Sequence, residues 1–595
     1  MTFGPVPIRK SMTRRAAIIA FSLVVAIGLL GLQSWDVAVG RVQRAAVRAI
    51  EERTGFVVKA LDRAEIAFLP LPRISLSQVA FTQRDGTLAG EAVRVKAQLR
   101  LLPLLGGHIS FDRVDLVAPR IDVAVPAGSD GVAEWLSPPL AEFERLQSQS
   151  KIVIRSGSLF LRANDAIQSV VRDLDLVIDA RDLNEPLALS GSLNWRGVPT
   201  EVNLLWPMAG GNAKASLSAT SPLLKLRFDG ARSGPGEPVI SGLLALSTPS
   251  LPRLLGWFGE ESRLASALGA VAVSADIQVK PHEVSFNNAV VNLDGERLDG
   301  VMKLAETGGR FALSGTLAGA TLDLGRLVDR LPIPAVDAAD TAPFDLDAWT
   351  ARDIDLRVSV DAARLKGARL SDVATYLLVK KGRFETGLLR AGAYGGSVKS
   401  RLLAIGVPAG VDVKIQAGLD KVNIGQAASD LPLLARLSGT GGAQLALDGV
   451  GRTFDELIGS FTGRVNLAAR QGEIGGIALA ELLRRAERSP AQALRDWRQG
   501  KTPYESITAN AGIAGGLLAL TEAQMSGANY RFNLAGSAAL RTRLLDMTAL
   551  LASVNGALKL PFVLKGPVDA PAFEIEPDAV LSPTGASLVP TQFTR

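Results

Sequence analysis

Three Asp-x-Asp pairs, Asp173/Asp175, Asp345/Asp347 and Asp353/Asp355, have the residue type and spacing to share a divalent cation through oxygen ligands. Two of them sit in strictly alternating segments, where the same spacing is the solvent face of a strand. Gly500-Lys501-Thr502 looks like the end of a phosphate-binding loop. That loop needs a glycine five residues before Gly500, and Arg495 stands there. Gly439-Thr440-Gly441-Gly442 and Gly472-Glu473-Ile474-Gly475-Gly476 lack the dinucleotide fingerprint and read as turns or bends. The two histidines, His108 and His282, are 174 positions apart, and each reads as an isolated surface residue, so no Ser-His-Asp arrangement can be built. The absence of cysteine excludes thiolate catalysis, Cys-ligated zinc, iron–sulfur clusters and disulfides. Glu481 to Arg488 forms a charged helix face that reads as solvated, with docking on anionic lipid or a partner as the alternative. No catalytic, cofactor-binding or metal-ligating set emerges, and the expectation is a non-enzymatic protein without a cofactor.

Composition narrows the classes further. The chain has 595 residues, 47% apolar and 21% charged, which is a globular profile with room for about four domain-sized units or one repeat assembly. A net charge of +6 over that length is weak support for a nucleic-acid partner, and none is expected. Aromatics are only 5%, which disfavours base- or sugar-stacking surfaces.

The elements that would position any site begin at the amino end. Arg9, Lys10, Arg14 and Arg15 precede an uncharged run from Ala16 to Leu32, extendable to Trp35. At 1.5 Å per residue the longer count reaches about 30 Å, the hydrocarbon thickness. The basic cluster keeps the amino terminus cytoplasmic, and Trp35 would mark the far interface. A cleaved signal peptide, with Ala38 and Gly40 as the small-x-small pair, is the rival reading. Val37 to Arg53 then reads as a helix.

Beyond residue 55 the dominant pattern is period-2 alternation. In Val171–Asp179, Leu174, Leu176 and Ile178 share one face, with Asp173, Asp175 and Asp179 on the other. Thr350–Asp361 repeats the theme with Ile354, Leu356, Val358 and Val360, and Arg352-Asp353-Ile354-Asp355-Leu356 echoes Arg172-Asp173-Leu174-Asp175-Leu176. Further strands are expected at Arg113–Val117, Leu187–Leu193, Leu313–Leu317, Val411–Ala417, Gly463–Leu467 and Tyr530–Gly536. Ser190-Gly191, Ser241-Gly242, Ser314-Gly315, Ser438-Gly439 and Gly536-Ser537 punctuate them, and glycine in a strand marks a bulge, bend or close backbone approach. Short helices are expected at Leu251–Phe258, Leu322–Leu331, Ile424–Leu437, Ile477–Arg488 and Ala491–Trp497, enough to plug ends or edges but not to cover every sheet. Alternation leaves each sheet one apolar face that must be buried. Two sheets could meet as a sandwich, or one twisted sheet could curl around an apolar trough.

Both ends of the chain resemble the AsmA family of Gram-negative envelope proteins. The amino-terminal resemblance rests on Leu69-Pro70-Leu71-Pro72-Arg73-Ile74-Ser75-Leu76, Leu99-Arg100-Leu101-Leu102-Pro103-Leu104-Leu105-Gly106-Gly107 and Val114-Asp115-Leu116-Val117-Ala118-Pro119-Arg120-Ile121. The carboxyl-terminal one rests on Phe454-Asp455-Glu456-Leu457-Ile458-Gly459-Ser460-Phe461-Thr462-Gly463, Gly472–Ile477, Leu534-Ala535-Gly536-Ser537 and Leu560–Pro571 with its closing Gly566-Pro567-Val568-Asp569-Ala570-Pro571. The resemblance covers roughly 10–125 and 420–580. It implies a single-pass bacterial inner-membrane anchor and a periplasmic body of elongated, curled antiparallel β-sheet, built from degenerate repeats.

The organisation expected is a cytoplasmic basic segment 1–15, a transmembrane helix 16–35, an amino-terminal region 36–125, a β-rich repeat region 126–419, a carboxyl-terminal domain 420–582 and a tail 583–595. The resemblance further implies a β-groove protein that binds phospholipid acyl chains and helps transfer phospholipids toward the outer membrane, in support of outer-membrane biogenesis. The alternative is a non-enzymatic assembly or scaffold factor regulating outer-membrane protein or lipopolysaccharide assembly, with another envelope protein as partner. Lipid-facing candidates, taken from the alternating strands, are Leu174, Leu176, Ile178, Ile354, Leu356, Val358, Val465, Leu467, Phe532 and Leu534.

Overall fold

The computed structural model describes residues 56–575 apart from short stretches, together with Trp35, Asp36 and Glu51; the longest such stretches are 101–109 (Pro103 excepted), 125–149, 334–342 and 489–497. The expected helices Val37–Arg53 (Glu51 apart) and Ala491–Trp497, residue His108, the segment 1–15, the tail 583–595 and the uncharged run up to Leu32 lie outside the described residues. Among the described residues no helix is long and apolar enough to cross a membrane. Trp35–Asp36 forms a two-residue strand paired with Glu65 and Ile66, so Trp35 does not end a helical span as expected; main-chain pairing claims it.

The chain divides into two compact units, residues 1–249 with 272–284, and residues 250–271 with 285–595. The first unit contains β1 (Trp35–Asp36), β2 (Phe56–Ala60), β3 (Ala64–Ala67), β4 (Arg73–Gln83), β5 (Leu88–Leu99), β6 (Phe111–Ala124), β7 (Lys151–Ala163), β8 (Ala166–Asp179), β9 (Leu187–Trp195), β10 (Val198–Trp206), β11 (Ala213–Thr220), β12 (Lys225–Arg232), β13 (Ile240–Thr248) and most of β14 (Val271–Lys280). From β4 to β13 each strand pairs with the one before it. Those pairings are antiparallel except β6–β7, which is parallel. β2 and β3 lie end to end along the free edge of β4.

The second unit repeats this plan with β15 (Glu283–Leu293), β16 (Glu296–Thr307), β17 (Arg310–Asp323), β18 (Asp353–Leu365), β19 (Ala368–Lys380), β20 (Arg383–Ala393), β21 (Gly396–Val407), β22 (Gly410–Asn423), β23 (Thr440–Gly451), β24 (Thr462–Gly475), β25 (Lys501–Ala514), β26 (Leu517–Gly527), β27 (Tyr530–Ala539), β28 (Leu544–Ser553), β29 (Lys559–Pro567) and β30 (Ala572–Ile575). Here too one junction, β17–β18, is parallel. A parallel step needs a crossover, and residues 324–352 supply it with two short helices, Leu324–Asp329 and Leu346–Trp349.

The expected strands all form, most of them longer than the alternation marked. The helix Leu251–Phe258 forms as expected and Ile477–Arg488 starts two residues later, at Leu479, whereas Leu322–Leu331 shortens to Leu324–Asp329 because Leu322 and Asp323 still pair in β17. Ile424–Leu437 is corrected to a single turn, Ile424–Ala427; Leu437 bridges Ile474 instead. The domain boundary expected at 419/420 falls inside β22, whose ladder with β21 runs through it. The Arg-Asp-x-Asp-Leu echo does not mark equivalent strands, since β18 enters a parallel pair directly and β8 lies one strand beyond one.

Candidate functional site

Cross-strand register gathers the apolar positions of the first unit into continuous rows. One runs Ile74–Ala97–Val114–Ile152–Ile178–Leu189–Leu204–Leu217–Phe228–Leu244 across β4 to β13. A second, two residues away on each strand, runs Leu76–Val95–Leu116–Ile154–Leu176–Gly191–Val202–Ala219–Leu226–Leu246. Nine inter-strand steps of about 4.8 Å make these rows about 43 Å long, measured along the sheet. Burial is graded along them. Ile74, Leu76, Ile154, Leu176 and Ile178 are buried, while Leu189, Leu204, Leu217, Leu244, Val202, Leu226 and Leu246 are only half-buried. The described part of this unit consists of strands and turns, with no complete helix to lie over them.

The other face is mainly polar, although Leu205 and Leu243 are exposed on it. Ser190, Asn203, Ser218 and Arg227 form one register row, and Arg227 pairs with Asp229 at 2.7 Å. The same Arg-x-acid pairing recurs at Arg113/Asp115, Arg297/Asp299 and Arg383/Glu385, because i and i+2 share a strand face. Where such pairs are exposed, water screens them, and their main effect is to keep that face hydrated.

Two of the Ser-Gly pairs mark close backbone approaches. Gly191 has φ +154°, and a Cβ there would lie 2.0 Å from the Asp175 carbonyl oxygen of the next strand. At Gly536, φ +139°, it would lie 2.4 Å from the Asp546 carbonyl oxygen. Both glycines stand on the apolar side, in register with Leu176 and with Met547. The neighbouring backbone occupies the space a side chain would fill, so these two positions require glycine.

In the second unit a row runs Met302–Gly315–Leu356–Leu377–Thr386–Leu402–Ile415–Leu447–Gly463–Ile513–Leu518–Ala538–Leu545 from β16 to β28. Thr386 is its polar exception, and its hydroxyl donates to the Tyr376 carbonyl at 2.7 Å. Another row runs Leu419–Ala443–Leu467–Ala509–Ala523–Leu534–Ala549–Phe562. Ile354 and Val358 flank Leu356 on β18, and Val465 flanks Leu467 on β24, so Ile354, Leu356, Val358, Val465, Leu467, Phe532 and Leu534 all fall on one face. Leu176 and Ile178 lie on the rows of the first unit; Leu174, beyond a bulge, pairs with Gly157 and is buried.

Among the described residues, at least two protein segments cover parts of the second unit's apolar face. The first is the crossover. Leu346 and Trp349 pack on Ala404, Val411 and Val413, and Trp349 stacks on Phe344 (6.2 Å) and meets Phe384 edge-on (6.4 Å). Asp345 caps this helix by accepting from the Ala348 N–H at 3.1 Å. The second cover is the helix Leu479–Arg488. Leu479, Leu482, Leu483 and Ala486 are buried against Met525, Phe532, Leu551, Leu560 and Phe562. Phe562 stacks on Phe573 at 4.8 Å, with Phe532 edge-on to both. Phe532 therefore packs among protein side chains, whereas Leu467 on the neighbouring row is 47% exposed.

The residues that resembled chemical motifs hold structure together. Thr502 of the Gly-Lys-Thr sequence is fully buried; its hydroxyl accepts from the Leu479 N–H (2.9 Å) and donates to the Ile477 carbonyl (2.5 Å), capping the covering helix. Asp175 accepts from the Ser156 N–H at 2.9 Å within a bulge, and Asp353 pairs with Arg310 (2.9 Å) and Lys380 (3.6 Å). Glu481 accepts from Arg484 and Arg485, which hold its carboxyl down at about 2. The Tyr530 hydroxyl donates to the Pro503 carbonyl at 2.7 Å, and burial pushes its pKa up to about 12. One buried carboxylate escaped sequence reasoning. Glu385 lies on the polar face, hydrogen-bonded by Arg383 (2.6 Å), Arg401 (2.9 Å) and Tyr376 (3.0 Å). Burial pushes its pKa up, but these three bonds outweigh burial and leave it below the ordinary range. Among the described residues no three acidic or histidine side chains are placed to hold a metal. What both units offer is a long apolar surface on one side of the strands.

Residues 335–523 match the family model described as AsmA family. The match bears out the resemblance over that stretch. It spans β18 to β25 and most of β26 and includes both covering segments. It takes in part of the carboxyl-terminal stretch quoted above and extends it back to residue 335, while the amino-terminal stretch lies outside it. No curated protein matches the chain.

Proposed function

We propose, from the premise of an AsmA family region at residues 335–523, that this chain is an envelope protein whose apolar sheet faces bind phospholipid acyl chains and help pass the lipid toward the outer membrane. The observation that carries the reading is the half-buried stretch of the rows from β9 to β13, where Leu189, Leu204, Leu217, Leu244, Val202, Leu226 and Leu246 share one side of the sheet. Each CH₂ group laid on such a surface gains about 0.8 kcal/mol. Because successive strands offer near-equal sites, a chain can shift along a row without crossing a deep well. The headgroup stays in water, so no specific polar site is required. On this reading the run Ala16–Leu32 anchors the protein in the inner membrane, with its amino terminus cytoplasmic and the body periplasmic.

Native mass spectrometry of the full chain extracted in mild detergent tests the proposal. Phospholipid should accompany the wild type, and the double substitution Leu204→Asp with Leu217→Asp should lower its occupancy by about fivefold or more, since burying an unpaired carboxylate under an acyl chain is strongly unfavourable. Equal lipid occupancy in wild type and variant would remove the groove reading. A stoichiometric protein companion with no lipid would favour the assembly-factor alternative.

A further inference from the structure

From β4 to β8 the strands of the first unit are creased along one line, and from β9 to β13 they are not. At the crease the apolar alternation changes phase: β4 passes from Leu76 to Val79, β6 from Leu116 to Pro119 and β8 from Leu174 to Val171. Four of these strands carry a non-glycine residue of positive φ at that level, Gln78 (+50°), Ala118 (+47°), Ser156 (+52°) and Asp173 (+49°). The ladders step over it, since Arg94 pairs with Ser77 and Val117, and Ala92 with Val79 and Pro119. Such irregularities bend a strand, and a row of them folds the sheet. The crease is packed shut. Leu76, Ile154 and Leu174 on one side of it, and Val79, Pro119 and Val171 on the other, are buried. A Cβ on Gly157 would lie 2.9 Å from Ile154 Cγ2, 3.2 Å from Pro119 Cγ and 3.3 Å from Leu174 Cβ. The floor of β6 to β8 is therefore too tight there for one more methyl group, and a hydrocarbon tail is far larger.

Beyond β8 the ladders β9–β10, β10–β11, β11–β12 and β12–β13 run without a register shift, and the same two rows become half-buried. The ends of these strands have a chemistry of their own. Trp195 stands at one end of the β9–β10 hairpin, paired with Val198, and Trp206 at the other, paired with Leu187. Alternation puts Trp195 on the side of Leu189 and Leu193, and Trp206 on the side of Val202 and Leu204, so both rings lie on the apolar face. Arg196 lies over the Trp195 ring at 5.6 Å, and Arg232 over the Trp206 ring at 5.5 Å. A tryptophan beneath an arginine gives an apolar body to a tail and a polar rim to the region of the headgroup.

We propose that phospholipid tails occupy the first unit only from β9 onward, entering sideways across the strand ends that carry Trp195 and Trp206, and that β4 to β8 form a closed floor which lipid bypasses. This rests on the acyl-binding reading above and adds to it where the site begins and how it is reached. The rows are continuous in register from β4 to β13, yet only their uncreased part leaves apolar surface for a tail to cover. A tail sliding along a row toward β4 meets side chains already in contact with one another, so the crease is a stop. Tails that arrive over a strand end meet a ring first and the rows next, with the headgroup left at the rim.

The test uses the full chain in vesicles of phosphatidylethanolamine and phosphatidylglycerol. A photoreactive leucine analogue, close to leucine in shape, is placed singly at Leu204, Leu217, Leu76 or Leu174, and a photoreactive phenylalanine analogue singly at Trp195 or Trp206. Leu204 and Leu217 should cross-link phospholipid, and at least one of the two tryptophan positions should do so as well. Leu76 and Leu174, which are 3% and 5% exposed, should cross-link it at least about fivefold less than Leu217, because a tail cannot touch a side chain that protein already surrounds. A smaller difference makes the floor continuous from β4 and overturns the closed end while leaving lipid binding intact. Lipid at Leu204 and Leu217 with none at either tryptophan position overturns sideways entry. No lipid at Leu204 or Leu217 overturns the acyl-binding reading of this unit and the proposal with it.

Discussion

The sheet from β9 to β13 and the sheet from β26 to β30 are made the same way, by alternation and antiparallel pairing, yet their apolar faces meet different fates. The first carries Leu, Val, Ala and Gly with one aromatic, Phe228, on its two rows, and most of these side chains stay half-buried. The second concentrates Tyr530, Phe532, Phe562 and Phe573 in one patch and receives a helix on top, giving a dry core in which Leu551 and Phe562 are 0% and 1% exposed. Strand alternation therefore decides only that a face is apolar. Whether it becomes a core depends on a second layer, and here the second layer arrives where the aromatics are.

Substitutions should report that contrast directly. Phe562→Ala removes a fully buried ring with two aromatic neighbours and should cost about 3–5 kcal/mol, read from denaturant midpoints of the second unit's transition. A loss below about 1 kcal/mol would mean that the patch is not a packed core. Thr502→Val keeps the shape but leaves the Leu479 N–H without its partner, with an expected cost of about 1 kcal/mol in the same measurement. Leu217→Ala, on the open rows, should cost less than Phe562→Ala, about 1–2 kcal/mol, because its side chain is only partly removed from water on folding, yet it should still reduce lipid occupancy. A stability loss as large as that of Phe562→Ala would show the open face to be a hidden core.

Acid should act selectively. The Glu385 carboxyl titrates below its ordinary value of 4.5, so its bonds to Arg383, Arg401 and Tyr376 stabilise the fold above the unfolded pKa and are lost as pH falls through the lower folded value. Glu385→Gln should flatten the stability–pH curve of the second unit below about pH 4.5. The Glu481 carboxyl is held down at about 2 by Arg484 and Arg485, but this cluster lies at the surface, and Glu481→Gln should leave the unfolding midpoint unchanged at neutral pH.

Much of this was legible in the residues. Alternation in Val171–Asp179 and Thr350–Asp361 assigned Leu176 and Leu356 to the faces they occupy, and the Ser-Gly pairs marked positions such as Gly191 where neighbouring backbones crowd. The parallel junctions β6–β7 and β17–β18 were not legible, because register between strands is a long-range property that no local pattern encodes. Nor was the difference between Phe532 and Leu467. Both occupy apolar positions on alternating strands, and only the chain returning as Leu479–Arg488 separates them. Thr502 shows the opposite failure: its neighbours imitate a nucleotide loop, while its hydroxyl serves a helix start.

From β18 to β30 every strand hydrogen-bonds to the one immediately before it in the chain. Such a ladder can be assembled vectorially, each hairpin zipping onto a finished template as the polypeptide is delivered amino end first, with short loop closures throughout. The parallel junction β17–β18 just before this ladder is the slower kind of step, since its strand can dock only once the crossover has returned along the template.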